Sequence, residues 1–98
     1  MVNKTERNKR DKEWKLRVRE RDKVCQVCGK ADGILNVHHL IPSMFQEWKW
    51  DVDNGLLLCV QHHTLGKFSA HKHPIWFSLW LQKERWMAYA WILNKLDD

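Results

Sequence analysis

The 98-residue sequence contains no apolar run that approaches the ~20 residues needed to cross a bilayer. Its first residues, Met1-Val2-Asn3-Lys4, are polar and lack the apolar core of a secretion signal. It has no internal repeat, no low-complexity segment and no sign of a second domain. An even set of cysteines is also missing, since three cannot pair off completely. Together these gaps exclude a membrane protein and a secreted disulfide scaffold, and lead to the expectation of a cytoplasmic protein with no membrane partner. A chain this short buries only a limited core, so a metal staple is a reasonable expectation.

What is present is unevenly placed charge. Residues 1–30 hold eleven Lys and Arg against five Asp and Glu, about +6, whereas the remainder is about −1. A basic end favours a polyanionic partner, nucleic acid first. Residues 1–10 show no apolar periodicity and are expected to be a basic flexible tail, with a single domain over 11–98 whose core motif is 24–74. A helix is expected from Asp11 to about Arg21, burying Trp14 and Val18 one turn apart. Leu35 to Ile41 reads as a strand ended by Pro42, Gly55 to Cys59 as a second strand, and a helix should begin near His62. After Pro74 the spacing of Trp76, Leu79, Trp80, Trp86, Tyr89, Ile92 and Leu93 predicts aromatic helix, more core than base-stacking surface.

Two constellations carry chemistry. Cys25-x2-Cys28 is followed thirty residues later by Cys59-x2-His62. Each pair can sit on one turn and reach one ion, and two such knuckles complete a closed, four-ligand structural zinc site. His62 and His63 both compete for the fourth place; two-residue spacing favours His62 and frees His63. The second set is His38-His39, Asn54 and His63. Adjacent strand residues point to opposite sides, so one imidazole of the pair can serve a metal and the other a water molecule.

The segment Val37-His38-His39-Leu40-Ile41-Pro42 resembles the His-His strand of the HNH nucleases. Asn54-Gly55-Leu56-Leu57-Leu58-Cys59 resembles their run into the second knuckle, and His63 their final histidine. Fourteen residues separate His39 from Asn54 and eight separate Asn54 from His63, as in the family pattern. The likeness covers about residues 11–74, with Arg21 to Gly29 resembling the first knuckle of zinc-containing members. It implies an α+β, ββα-metal fold flanked by an N-terminal helix and a C-terminal aromatic helix.

It also implies a metal-dependent endonuclease acting on DNA, resembling small phage-encoded or mobile-element enzymes. By that resemblance His39 is the general base, and His38 and His63 hold the catalytic divalent ion (Mg2+, Mn2+, Ni2+ or Zn2+), while Asn54 positions the loop behind the base. The position four residues after His63, a ligand histidine in some members, is Lys67, which leaves two protein ligands and makes Lys67 a phosphate contact. His71 is a candidate phosphate contact or substitute ligand, and Arg17 and Arg21 are further candidate DNA contacts. The rival reading is a non-catalytic zinc module that binds nucleic acid. The C-terminal aromatic helix is a candidate surface for a protein partner.

Overall fold

The computed structural model describes residues 2–97. Helix α1 spans Lys4–Asp22, strand β1 Leu35–His39 and strand β2 Gly55–Cys59, and helices α2 and α3 span Pro74–Glu84 and Trp86–Leu96. Between the strands lie two short 3-10 turns, Gln46–Trp48 and Val52–Asn54, and β2 leads into a single π-turn over Gln61–Leu65. The architecture is α+β, a two-stranded antiparallel sheet with helices on both faces. Among the described residues no helix is long and apolar enough to cross a membrane.

Helix α1 begins seven residues earlier than its apolar spacing suggests, which corrects the expectation of a flexible tail over residues 1–10 (Met1 lies outside the described residues). The cause is local. Asn3 caps the helix by accepting a hydrogen bond from the Glu6 amide at 2.8 Å, and Glu6 pairs with Arg10 one turn on. Trp14 and Val18 are its two buried residues, as their spacing predicts.

The strands pair in a register that sets His38 opposite Leu56 and His39 opposite Gly55. Cross-strand partners share a face of the sheet. Leu56 and Leu58 join the core formed with Ala70, Phe77 and Leu81. The opposite face, carrying Gly55, packs against α1. Every residue of β2 is buried, because helices cover it on both sides. Pairing stops at His39, two residues before the expected end of the strand, because the side chain of Asn54 takes over the Ile41 amide.

The helix expected near His62 is only the π-turn. The chain bends at Gly66, where a Cβ would lie 2.6 Å from the Gln61 carbonyl oxygen. The C-terminal aromatic stretch is two helices, broken at Arg85, whose guanidinium donates to the Gln26 carbonyl at 2.8 Å and lies over Trp80. Phe77 and Leu81 are the residues of this stretch that are fully buried; Trp76, Trp80 and Tyr89 are half-buried against the core, and Trp86 is exposed.

A Cβ at Gly55 would lie 2.5 Å from Val18 Cγ2 and 2.9 Å from Trp14 Cζ2. Gly55→Ala should therefore push α1 off the sheet and cost about 1–3 kcal/mol of stability. Denaturant unfolding of the two proteins checks this, and an unchanged midpoint would contradict the close packing of α1.

Candidate metal centre and active site

The knuckles converge as their spacing predicts. Cys25, Cys28, Cys59 and His62 each present one ligand atom, all within 4.8 Å of one another. Cys59 Sγ lies 3.3 Å and Cys25 Sγ 3.9 Å from His62 Nδ1, and Cys28 Sγ lies 3.8 Å from Cys59 Sγ. A tetrahedral ion with bonds of about 2.0–2.3 Å sets its ligand atoms roughly 3.5–3.8 Å apart, so the four residues fit one metal. All three cysteines are free thiols. Burial alone would push the Cys25 thiol up, but backbone amides of Cys59, Cys28 and Val27 bring it below its ordinary value. Those amides favour the thiolate, the form that binds metal. His62, not His63, takes the fourth place.

A second cluster lies on the other side of the strand pair's end. His38, His63 and His71 place ligand nitrogens within 4.8 Å of one another. His71 Nε2 and His63 Nε2 are 3.1 Å apart. An ion with bonds of about 2.1 Å sets adjacent ligands roughly 3.0–3.4 Å apart, which this pair matches. His63 Nδ1, the ring nitrogen that faces away from His71, is buried and has no hydrogen-bond partner among the described residues. The His38 imidazole is pushed down to about 3, first by burial and then by the neighbouring His63, His71 and His39. His63 is lowered too, by burial and by His71. His38 and His63 therefore stay neutral at neutral pH and can turn lone pairs, not charge, towards a cation.

His71 corrects the two-ligand expectation. It does not follow on a continued helix: after the bend at Gly66 the chain returns, and the His71 amide donates to the His63 carbonyl at 3.1 Å. Lys67 is exposed on that bend. His73, also unassigned by the sequence, caps α2 by accepting from the Trp76 amide.

His39 points the opposite way from His38. Its ring stacks on Trp14, centroids 4.0 Å apart and planes 12° from parallel. Its Nε2 lies 3.0 Å from the Lys49 carbonyl oxygen. A carbonyl can only accept, so Nε2 carries the proton and Nδ1 keeps the free lone pair. Burial lowers the His39 pKa, against the opposing pull of the Lys49 hydrogen bond, which keeps the ring neutral at neutral pH. Trp14 was legible as a buried helix residue, but no sequence signal paired it with His39.

The loop that carries Lys49 is held by Asn54, which is fully buried and bonds the neighbouring Trp48 carbonyl. Asn54 Oδ1 accepts from the Ile41 amide at 2.6 Å, and Nδ2 donates to the carbonyls of Ile41 and Trp48 at 3.0 and 3.1 Å. The Trp14 indole adds a bond to the Asp51 carbonyl at 2.7 Å. Arg21 turns out to serve the protein itself: its guanidinium donates to the carbonyls of Val52 and Gly55 and pairs with Asp22, whose other oxygen accepts from the Leu57 amide. That engagement removes it from the candidate DNA contacts. Arg17 is exposed on α1.

His38, His39, His63 and His71 all border one cavity of about 700 Å³. Residues 25–68 match the family model of the HNH endonucleases. The HNH segment thus contains both knuckles, His38, His39, Asn54 and His63, while Trp14 and His71 lie outside it. No curated protein and no solved structure matches the chain. A match to the HNH endonucleases points to nuclease activity, and the two clusters could each hold a metal ion.

Metal removal tests the first cluster. Stripping the ion with a strong chelator, or replacing Cys28 with Ser, should abolish or sharply lower the cooperative thermal transition, because two five-residue strands cannot hold this fold alone. A metal-free preparation that melts cooperatively at the parental temperature would contradict it.

Proposed function

We propose that this chain is a metal-dependent endonuclease that hydrolyses DNA phosphodiester bonds. The observation that carries the reading is the single cavity bordered both by three converging imidazoles and by a fourth whose tautomer leaves Nδ1 free. Zinc is assigned to Cys25, Cys28, Cys59 and His62, a sulfur-rich set that leaves no position for substrate and so serves structure. Free thiols in that role suit a reducing compartment. His38, His63 and His71 are assigned to a catalytic divalent ion, which when bound polarises the scissile phosphate and stabilises the leaving 3′ oxygen.

The protein's own groups do the rest. His39 Nδ1 takes a proton from the attacking water, while Lys49 and Trp14 hold the ring still. The new bond forms between that water oxygen and phosphorus, and the bond to the 3′ oxygen breaks, leaving 5′-phosphate and 3′-hydroxyl ends. Asn54 is a positioning residue, since an amide is no base at this pH. Lys67 stays assigned to a phosphate contact. A zinc module that only binds nucleic acid has no use for a histidine held by a backbone carbonyl or for a second, sulfur-free cluster.

Phosphate contacts are assigned to the basic groups on the α1 side of His39. Lys15 and Lys49 lie close enough to His39 to disfavour its charged form. Lys49 and Arg10 also lie over the Trp50 ring, at 5.3 and 5.0 Å, and Trp50 is fixed by donating to Asp11. Arg17 extends the same basic helix.

Plasmid digestion with a panel of divalent ions is the direct test. His39→Ala should lower cleavage by about 100-fold or more while leaving divalent-ion binding unchanged. His71→Ala should weaken that binding by more than the ~10–100-fold typical of losing an outer-shell partner. A parent protein that cuts with none of magnesium, manganese, nickel, cobalt or zinc would sink the nuclease reading. A His71→Ala protein with unaltered metal affinity would return the site to two protein ligands.

The basic ledge has its own measurement. Each phosphate contact contributes about 0.9 to the slope of log affinity against log salt. Lys15→Ala combined with Lys49→Ala should therefore flatten that slope by about 2, and the His39 contact survives because it uses the Lys49 backbone. An unchanged slope would show that these lysines face solvent only.

A further inference from the structure

The cavity is larger than a metal ion and a phosphate require. Its volume of about 700 Å³ lies in the range of sites that enclose an organic ligand. Away from the histidines its wall is apolar and aromatic: Phe77 and Leu81 from α2, Tyr89 and Ile92 from α3. That wall starts one ring away from the metal-binding cluster, because Phe77 meets His38 edge to face, centroids 5.3 Å apart. It is also firmly placed. Phe77 and Leu81 are buried in the core, and Arg85 ties the break between α2 and α3 to the Gln26 carbonyl. Neither helix belongs to the matched HNH segment, so this wall is a feature of the present chain.

A phosphate needs cations and N–H donors and gains nothing from an aromatic wall. The part of a nucleotide that does gain is the base, which lies one sugar away from its phosphate. In continuous duplex DNA the base faces are stacked and cannot reach such a wall; in a bulge, flap or single strand they can, at little unstacking cost. We propose that the apolar arm of this cavity receives an unpaired nucleobase next to the scissile phosphate, so that the preferred substrate is DNA with an unpaired nucleotide at the cleavage site. The inference rests on the assignment of the histidine cluster to the scissile phosphate. The half-buried ring of Tyr89 supplies a stacking surface, the buried Phe77 ring closes the wall beside His38, and the hydroxyls of Tyr89 and Ser78 supply partners for the base edge.

The test uses the full chain with His39→Ala, so that DNA stays intact, and two 2-aminopurine duplexes: one with the fluorescent base in a single-nucleotide bulge, one with it paired. The bulged duplex should bind about tenfold more tightly, and binding should shield the bulged base from acrylamide quenching. Tyr89→Ala removes a stacking face, and Ser78→Trp fills the cavity from an exposed helix position without touching the core. Both should erase the preference while leaving affinity for the paired duplex unchanged. Ser78→Trp keeps the question answerable if Tyr89→Ala fails to fold. Equal affinity for the two duplexes, or a preference that survives Ser78→Trp, would overturn the proposal.

Cleavage by the parent protein separates the two readings. Equal cutting of bulged and paired DNA would leave the nuclease standing and remove the base pocket. Tight, shielded binding of the bulge with no cutting of either DNA would do the reverse.

Discussion

Asn54 is fully buried, and its carboxamide serves both backbone groups of Ile41 and the carbonyl of Trp48. Strand pairing ends at His39 and Gly55, so the chain from Leu40 to Asp53 has no further ladder to satisfy its polar groups. One side chain that both donates and accepts closes that loop from within. A carboxylate in its place has no donor for the two carbonyls, and an apolar residue would leave the Ile41 amide and carbonyl without these partners and the Trp48 carbonyl with only the Asp51 amide. The consequence reaches the chemistry, because Lys49 sits on this loop and its carbonyl selects the His39 tautomer. The free nitrogen of the His39 ring is thus set by a neutral group that does not titrate.

The register of the strands then separates two electrostatic environments, on adjacent residues, that face opposite ways. His38, paired with Leu56, faces α2 and the histidine cluster; His39, paired with Gly55, faces α1. On the first side three imidazoles crowd together, and burial with the neighbouring rings disfavours protonation of His38 and His63. On the second side Asp11 favours the charged ring while Lys15 and Lys49 oppose it. A one-residue slip would exchange the two faces and place the wrong ring in each. Glycine at position 55 keeps the second face shallow enough for the Trp14 indole to reach His39.

The parts of the site readable in the sequence are those set by short spacing. Cys25-x2-Cys28 and Cys59-x2-His62 each lie on one turn, so the residues that meet are already neighbours in the chain. Adjacent residues of a strand diverge, so the opposed directions of His38 and His39 also follow from the pattern. His71 was readable only as one of two alternatives, phosphate contact or substitute ligand, because its approach depends on the chain reversing at Gly66 instead of continuing as helix. The early start of α1 was hidden by an exposed first turn with no apolar spacing, although the Asn3 cap and Glu6 were the available signal. Arg21 resembled a phosphate contact by charge alone; only the fold reveals that the Val52 and Gly55 carbonyls lie within its reach.

A two-stranded sheet of this length is marginal by itself, and both its faces must be covered by something. Trp14 and Val18 cover one face from α1; Phe77 and Leu81 cover the other from α2. The residues recruited for that purpose become walls of the site, since the histidines lie on the same two faces. Trp14 is at once a core residue and the plane on which His39 lies, and Phe77 is at once a core residue and the edge against His38. The matched segment of residues 25–68 therefore carries His38, His39 and His63, while the segments before and after it supply the walls those rings meet. Variation in α1, α2 or α3 that preserves packing is the route by which such a chain can change its substrate without altering its chemistry.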